Sequence, residues 1–225
     1  MTTQEFSSEF DILYNNIMSN SAPGLDEYEK SVLLTQAQEQ LILDIYSGTS
    51  MDSFESTEEM KEYLDVLVQQ DNLTVSTEDI KGLSPSSKFY NKPEDLWFIT
   101  YETAILKDAS NSCLKNGKTS LVIPVTQDEY YHLMENPFRR PNMDRVFRLL
   151  KDNKIELISS YPIDSYTIRY IRKPNPIILT DLTEYNTKID GESDVKNCEL
   201  SPAIHRVILV KAVQLAKSLW STGNN

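Results

Sequence analysis

Residues 96–106 read Leu-Trp-Phe-Ile-Thr-Tyr-Glu-Thr-Ala-Ile-Leu, a run rich in β-branched and aromatic side chains. Such residues fit a pleated, half-buried surface, so the run predicts a long β-strand. Asn116-Gly117 then supplies a tight turn, and residues 118–125 predict a strand that returns beside the first. The pair predicts an antiparallel sheet in the middle of the chain.

Three further strands are predicted downstream, at residues 146–151, 155–159 and 165–172. A short helix is predicted between the second and third strands, because Thr126 is followed three residues later by Glu129, the spacing of a capping box. Asn136-Pro137 ends that helix. The run Lys173-Pro174-Asn175-Pro176 ends the sheet, since each proline removes a donor from the ladder.

Upstream of the sheet the apolar spacing becomes helical. Residues 6–17 and residues 26–46 each predict a helix with one apolar face. A third helix is predicted from a capping box at Ser56 and Glu59 through the apolar positions of residues 60–68. Three such helices would pack as a small bundle or against a sheet.

The last part of the chain predicts a loop and a closing helix. Residues 181–197 are polar, with a turn at Asp190-Gly191, and Ser201-Pro202 is a good helix start, with Ser201 as N-cap and Pro202 at the first helical position. The apolar stripe of this helix is predicted to consist of Ile204, Val207, Ile208, Leu215 and Leu219.

Together these elements predict an α+β fold with N-terminal helices, a central antiparallel β-sheet and a C-terminal helix. We expect a helical region at residues 1–72, a β-rich region with a short helix at 73–180, and a loop and helix at 181–225. The last of these is expected to pack back on the helical region, so that the chain forms one structural unit.

The formal net charge is −12, from 34 acidic and 22 basic side chains. A surface of this sign repels duplex phosphate, which argues against sequence-independent DNA binding driven by counterion release. The acidity is compatible with a passage that DNA crosses without sticking, and equally with solubility alone. Neither an apolar run of about 20 residues nor a basic and apolar N-terminus is seen, so we expect a protein that folds in the cytosol.

The sequence contains few residues suited to catalysis or metal binding. Cys113, Cys198, His132 and His205 are its only cysteines and histidines, and no two of them have a ligand spacing. Motifs for a nucleotide cradle or a nucleophile elbow are absent from the sequence. We therefore expect reduced thiols, structural histidines, no cofactor, no metal and no enzymatic activity.

Two segments combine prolines with aromatic and basic side chains, as protein interfaces often do. Residues 136–141 read Asn-Pro-Phe-Arg-Arg-Pro, and residues 168–176 read Ile-Arg-Tyr-Ile-Arg-Lys-Pro-Asn-Pro. The predicted interface residues are Pro137, Phe138, Arg139, Arg140, Tyr170, Arg172 and Lys173. The alternative is that the prolines only shape a loop and that the arginines stay solvated.

The same segments carry a resemblance to a known family. Residues 10–17 and 22–32, the stretch from 128 to 141, residues 168–179 and residues 198–205 resemble a structural protein of crAss-like bacteriophages. The resemblance covers the chain from about residue 6 to residue 220.

The resemblance implies a head-to-tail connector, a subunit of a closed homo-oligomeric ring of about twelve copies between the portal and the tail. It implies the portal protein and adjacent tail or ring proteins as partners, enclosed DNA that is not bound sequence-specifically, and a place in the virion after synthesis in the host cytoplasm. A tail hub, tail-tube or accessory virion protein is the first alternative, and an acidic cytosolic binding or regulatory module is the second.

Overall fold

The computed structural model describes residues 1–17, 24–47, 62–78, 80–151 and 153–223. The chain divides into two compact units. The sheet unit is Val68–Lys173, and the helical unit combines Met1–Leu67 with Pro174–Asn225.

The described helices are α1 (Thr3–Ile17), α2 (Glu27–Ser47), α3 (Gln127–Glu135) and α4 (His205–Gly223). The strands are β1 (Val68–Asn72), β2 (Ser87–Asn91), β3 (Leu96–Leu106), β4 (Lys118–Pro124), β5 (Arg145–Lys151), β6 (Lys154–Ile158) and β7 (Ile163–Arg172). They form one curled sheet in the order β1-β7-β3-β4-β5-β6-β2. The predicted α+β class is confirmed, as are the strands predicted for β3 to β7.

One pair of neighbouring strands, β4 and β5, is parallel, whereas the other pairs in the described sheet are antiparallel. A parallel pair needs a crossover, and residues 125–144 with α3 supply it. The predicted capping box starts this crossover: the Thr126 hydroxyl accepts from the Glu129 amide at 3.3 Å, and the Glu129 carboxylate accepts from the Thr126 amide at 2.9 Å.

The sequence failed to predict the two edge strands. The third helix was predicted to continue through Val68, but Asp65–Leu67 form a single 3-10 turn and Val68 begins β1, opposite Ile171 of β7. Pairing with β7 therefore overrides the local spacing. The capping box predicted at Ser56 and Glu59 lies outside the described residues. Strand β2 gave no signal because only two of its five residues, Phe89 and Tyr90, are apolar.

The sheet buries side chains on both faces. One face carries a cluster that includes Leu106, Val122, Val146, Tyr166 and Ile168. On the opposite face Tyr130 of α3 packs against Phe147, Leu149 and Ile158 of β5 and β6. Helix α3 therefore lies over the β5–β6 half of the sheet and fixes the loop that follows it.

In the helical unit, α1 buries Phe6, Phe10 and Tyr14. The stripe predicted for α4 was partly wrong, since Val207 and Leu219 are 46% and 64% exposed. The buried apolar residues of this segment are Ile204, Ile208, Leu209, Ala212, Val213 and Ala216. Its first turn, Pro202–Ile204, is 3-10 rather than α-helical, and the predicted N-cap Ser201 makes no side-chain capping bond.

A charged group is buried at the centre of the sheet. Glu102 on β3 is 6% exposed; its Oε1 lies 2.8 Å from Arg148 Nε, and its Oε2 accepts a 2.5 Å hydrogen bond from the Tyr166 hydroxyl. Burial raises the pKa of Glu102, although Tyr166 and Arg148 act to lower it. The Tyr90 hydroxyl, packed near Tyr166, is buried without a partner among the described residues.

We predict that Arg148→Met lowers the free energy of unfolding by about 3–5 kcal/mol at pH 7, because it leaves the Glu102 carboxylate buried and unpaired. The pKa of Glu102 is raised in the folded state, so this residue stabilises the fold at pH values below its ordinary pKa. That contribution is lost as the pH rises through the pKa of Glu102 in the folded protein. The deficit of the variant should therefore shrink between pH 7 and pH 5.

Urea denaturation at several pH values measures this effect. The matched control is Glu102→Gln with Arg148→Met, which keeps an acceptor for Tyr166 and should recover much of the loss at pH 7. If Arg148→Met lowered the free energy of unfolding equally at pH 5 and pH 7, the loss would not come from an unpaired Glu102 carboxylate.

Candidate interaction surface

The segment 136–141, which we call the Phe138 loop, projects an aromatic ring into solvent. Phe138 is 89% exposed, the largest exposure among the large hydrophobic side chains of the described residues. The loop turns here because the Asn136 side-chain oxygen accepts from the Phe138 amide at 3.0 Å. The Asn136 carbonyl also accepts from the Arg139 amide at 3.0 Å. The turn thus holds the Phe138 ring at the surface.

The Phe138 loop is fixed at both ends. Arg140 Nε donates to the Met134 carbonyl of α3 at 2.6 Å, and Arg145 Nη2 donates to the Phe138 carbonyl at 3.2 Å. Pro141 is buried, and its carbonyl accepts from the Ser160 hydroxyl at 2.7 Å. A loop held in this way loses little conformational entropy on binding, which favours affinity.

The two arginines of the loop differ in their contacts. Arg140 Nε donates to the Met134 carbonyl of α3. Arg139 is exposed, and its guanidinium has no hydrogen bond or ion pair to another described residue. Arg139 is thus the charged group of this loop that is available to a partner.

The second predicted segment does not form one surface with the first. Arg172 pairs with Leu96, where β3 begins, and Ile163 pairs with Leu106, where β3 ends. The Phe138 loop lies at the second of these ends, because Pro141 contacts Ser160 just before β7. At roughly 3.3 Å per residue, the two ends of β3 are about 33 Å apart.

The prediction that Tyr170 is an interface residue was wrong. Tyr170 is 1% exposed, and its hydroxyl lies 2.9 Å from Asp71 Oδ2 and 3.2 Å from Asp95 Oδ1. Burial, with the two carboxylates, raises its pKa. On β7 the side chains of Tyr166, Ile168 and Tyr170 are all buried in one core cluster, so Tyr170 faces inward.

The two basic residues that follow remain at the surface. Arg172 is half-buried and its Nη1 donates to the Lys173 carbonyl at 3.3 Å, whereas Lys173 is exposed. They form a small basic rim at the start of β3.

Sequence reasoning missed a pocket in the helical unit, which we call the tyrosine pocket. It is lined by Asp26, Glu27, Tyr28, Thr180, Tyr185 and Thr187. The sequence does show one part of it: the Asp26 carboxylate accepts from the Glu29 amide at 2.7 Å and caps α2. Tyr185 comes from a distant loop, and only the fold brings it beside α2.

The cysteines and histidines do not assemble into a reactive site. His205 is buried, and its Nε2 donates to the Leu200 carbonyl at 2.9 Å. The Cys198 thiol is buried 3.3 Å from Gln38 Oε1, and burial raises its pKa to about 11. Within the described residues, no cluster of three metal-binding side chains and no helix able to cross a membrane is found.

The charge of the chain is divided unevenly between its units. The sheet unit contains 15 Lys and Arg against 14 Asp and Glu, a net charge of +1. The helical unit contains 7 basic against 20 acidic residues, a net charge of −13. The acidity of the protein therefore belongs to the helical unit.

Comparison with known proteins extends the resemblance over the whole chain. The model of a family described as phage tail ring protein 3/4 matches residues 1–225. A protein named Ring protein 3, from Bacteroides phage crAss001, is 49% identical over 220 residues, which cover 96% of this chain and 95% of the relative. A second protein of that phage, named Ring protein 4/5, is 36% identical over 234 residues, which cover 98% of this chain and 94% of the relative.

These relatives have the length of the chain, and both are named as ring proteins of a crAss-like phage. The resemblance that the sequence suggested is thereby confirmed. The chain belongs to the phage tail ring protein 3/4 family of crAss-like phages.

Proposed function

We propose that this chain is a non-enzymatic virion protein that assembles with further copies of itself into a closed ring of about twelve subunits. The ring connects the portal to the tail of a crAss-like phage and contacts the portal protein and adjacent ring or tail proteins. The observation that carries the proposal is the match of residues 1–225 to a family of tail ring proteins.

A ring of more than two identical subunits needs two different surfaces on each copy, because its contacts are heterologous. The Phe138 loop suits one of them. It combines an exposed aromatic ring, an available guanidinium and a fixed backbone, the features that residues dominating interface energies share. The arginine and lysine at the start of β3 suit a contact with a different neighbour.

The ring also forms part of the DNA passage in this proposal. Charges are largely screened beyond about 8–10 Å at physiological salt, but the wall of a narrow channel lies within that distance of the DNA. The helical unit, with its net charge of −13, supplies the carboxylates that such a wall needs to enclose DNA without holding it. We expect Arg139, Arg140, Arg172 and Lys173 to face protein neighbours instead.

We predict that the purified chain forms a discrete ring whose mass is about twelve times the 25.8 kDa of one subunit. Native mass spectrometry over a range of protein concentrations measures it, with adjacent ring proteins added in a second series. A species that stays monomeric in both series would contradict the ring.

We predict that the double change Phe138→Ala with Arg139→Ala weakens assembly at least 30-fold, since truncating a true anchor costs about 2 kcal/mol or more. The fold should be unaffected because Phe138 is 89% exposed. Sedimentation gives the concentration at half-assembly, and a thermal melt checks the fold.

The matched control is Tyr101→Ala, which truncates a 57% exposed aromatic on β3 of the same unit. It should leave assembly close to wild type. Equal losses in the two variants, or none in the first, would remove the Phe138 loop from the contact.

We predict that the assembled protein does not retain duplex DNA at physiological salt, with any dissociation constant above about 10⁻⁴ M. Fluorescence anisotropy with labelled duplexes of several sequences measures this. Tight binding that weakens steeply with salt and disappears on Arg139→Ala would mean that the basic loop faces DNA, and would overturn the proposed orientation.

A further inference from the structure

Two tyrosine side chains form walls of the tyrosine pocket: one packs against the core of the helical unit, and the other is exposed to solvent. Tyr28, on the first turn of α2, packs against the buried cluster of Ile178, Leu182 and Ile189. Tyr185 is the last residue of the 3-10 turn Thr183–Tyr185, and its amide donates to the Leu182 carbonyl at 3.1 Å. Its side chain is nevertheless 66% exposed. An aromatic group entering the pocket would meet a rigid face on one side and a solvated ring on the other.

The pocket carries an excess of negative charge. Lys30 Nζ lies 2.8 Å from Asp11 Oδ2 and 2.9 Å from Glu27 Oε1, so one ammonium is shared by two carboxylates. Asp26 adds a further carboxylate, which accepts from the backbone amide of Glu29. No basic side chain is among the described residues that line the pocket.

The Phe138 loop offers the complementary groups. Phe138 can pack against tyrosine rings, and a guanidinium both stacks on aromatic faces and pairs with carboxylates. The net charges of the two units also favour a contact between the sheet unit of one copy and the helical unit of another. A contact between two helical units would oppose two bodies of net charge −13, whereas a sheet unit of net charge +1 meets no such repulsion.

We infer that in the ring the Phe138 loop of one copy docks in the tyrosine pocket of the next copy, with Arg139 beside Asp26 and Glu27. This inference rests on the proposed ring and specifies which surfaces build it. The competing receptor is the groove between α1 and α4, lined by Glu9, Ile12, Leu13, Arg206, Leu209 and Val210. It is more apolar, and because Glu9 and Arg206 both line it, it has no net charge to attract Arg139.

Cysteine crosslinking between separately purified variants tests the contact. In full-length protein carrying Cys113→Ser, which removes the exposed thiol, one preparation carries Arg139→Cys and the other Tyr185→Cys. Cys198 stays in place because it is buried. The two preparations are mixed, allowed to assemble and oxidised, and the products are separated without reductant.

The expected result is a dimer in the mixture and at least tenfold less dimer in either preparation alone. A chain carrying both cysteines should give a ladder of crosslinked products that ends at the full ring. Two controls replace Tyr185→Cys: Val195→Cys, 50% exposed in the helical unit outside the pocket, and Val210→Cys, 46% exposed in the competing groove.

Each other outcome overturns the inference. A dimer with Val210→Cys instead assigns the loop to the α1–α4 groove, and a dimer of Arg139→Cys alone shows a contact between two identical loops. Rings of full mass without crosslinks would exclude the docking but remain consistent with the proposed ring. A chain that stays monomeric would exclude both the docking and the proposed ring.

A charge exchange keeps the inference testable should a cysteine variant lose its fold by circular dichroism. Arg139→Glu should raise the concentration at half-assembly at least tenfold. Adding Thr180→Arg, which places a guanidinium in the pocket lining and keeps both tyrosines, should restore most of that loss. Equal assembly of Arg139→Glu with and without Thr180→Arg overturns the docking.

Discussion

The pairing of β3 with β7 is the constraint on which the sheet unit depends. It extends from Leu96 opposite Arg172 to Leu106 opposite Ile163, the full length of β3. Strand β7 pairs on its other side with β1, and β3 with β4, so these two central strands set the register of four. The ion pair of Glu102 with Arg148 adds little net stability, because the desolvation of the two buried charges offsets their attraction.

The parts of the fold that the sequence predicted are those whose signal is local. Strand β3 is long and rich in β-branched and aromatic residues, and the box of Thr126 and Glu129 is complete within four residues. The parts it missed depend on distant partners. Strand β1 reads Val-Gln-Gln-Asp-Asn, which is too polar to predict a strand. It is extended because it pairs with β7. At the candidate site, the composition of residues 136–141 was enough to find Phe138, whereas the burial of Tyr170 depends on which face of β7 meets the core.

The distribution of charge over the chain also depends on the fold. A total of −12 does not distinguish an acidic surface from a protein with one acidic and one nearly neutral part. The topology separates them, because the helical unit takes both ends of the chain and the sheet unit takes the middle. The acidic residues of 1–67 and 174–225 thus meet in one body. The relatives named as ring proteins match the chain across both parts, so the division lies within the region that the family shares.

An exposed aromatic on a fixed loop is a hazard in a protein that must stay soluble until it assembles. In this chain Phe138 is followed directly by two arginines, both at the surface. If two copies met through the same loop, four guanidinium groups would come together, which costs free energy and disfavours a symmetric dimer. The same arginines favour any carboxylate-rich surface elsewhere on the chain. A contact between two different surfaces generates a ring when its rotation closes, whereas a contact between identical surfaces ends at two copies. The charge of the sequence Phe-Arg-Arg therefore disfavours a symmetric dimer and favours a contact between two different surfaces, before any particular receptor is considered.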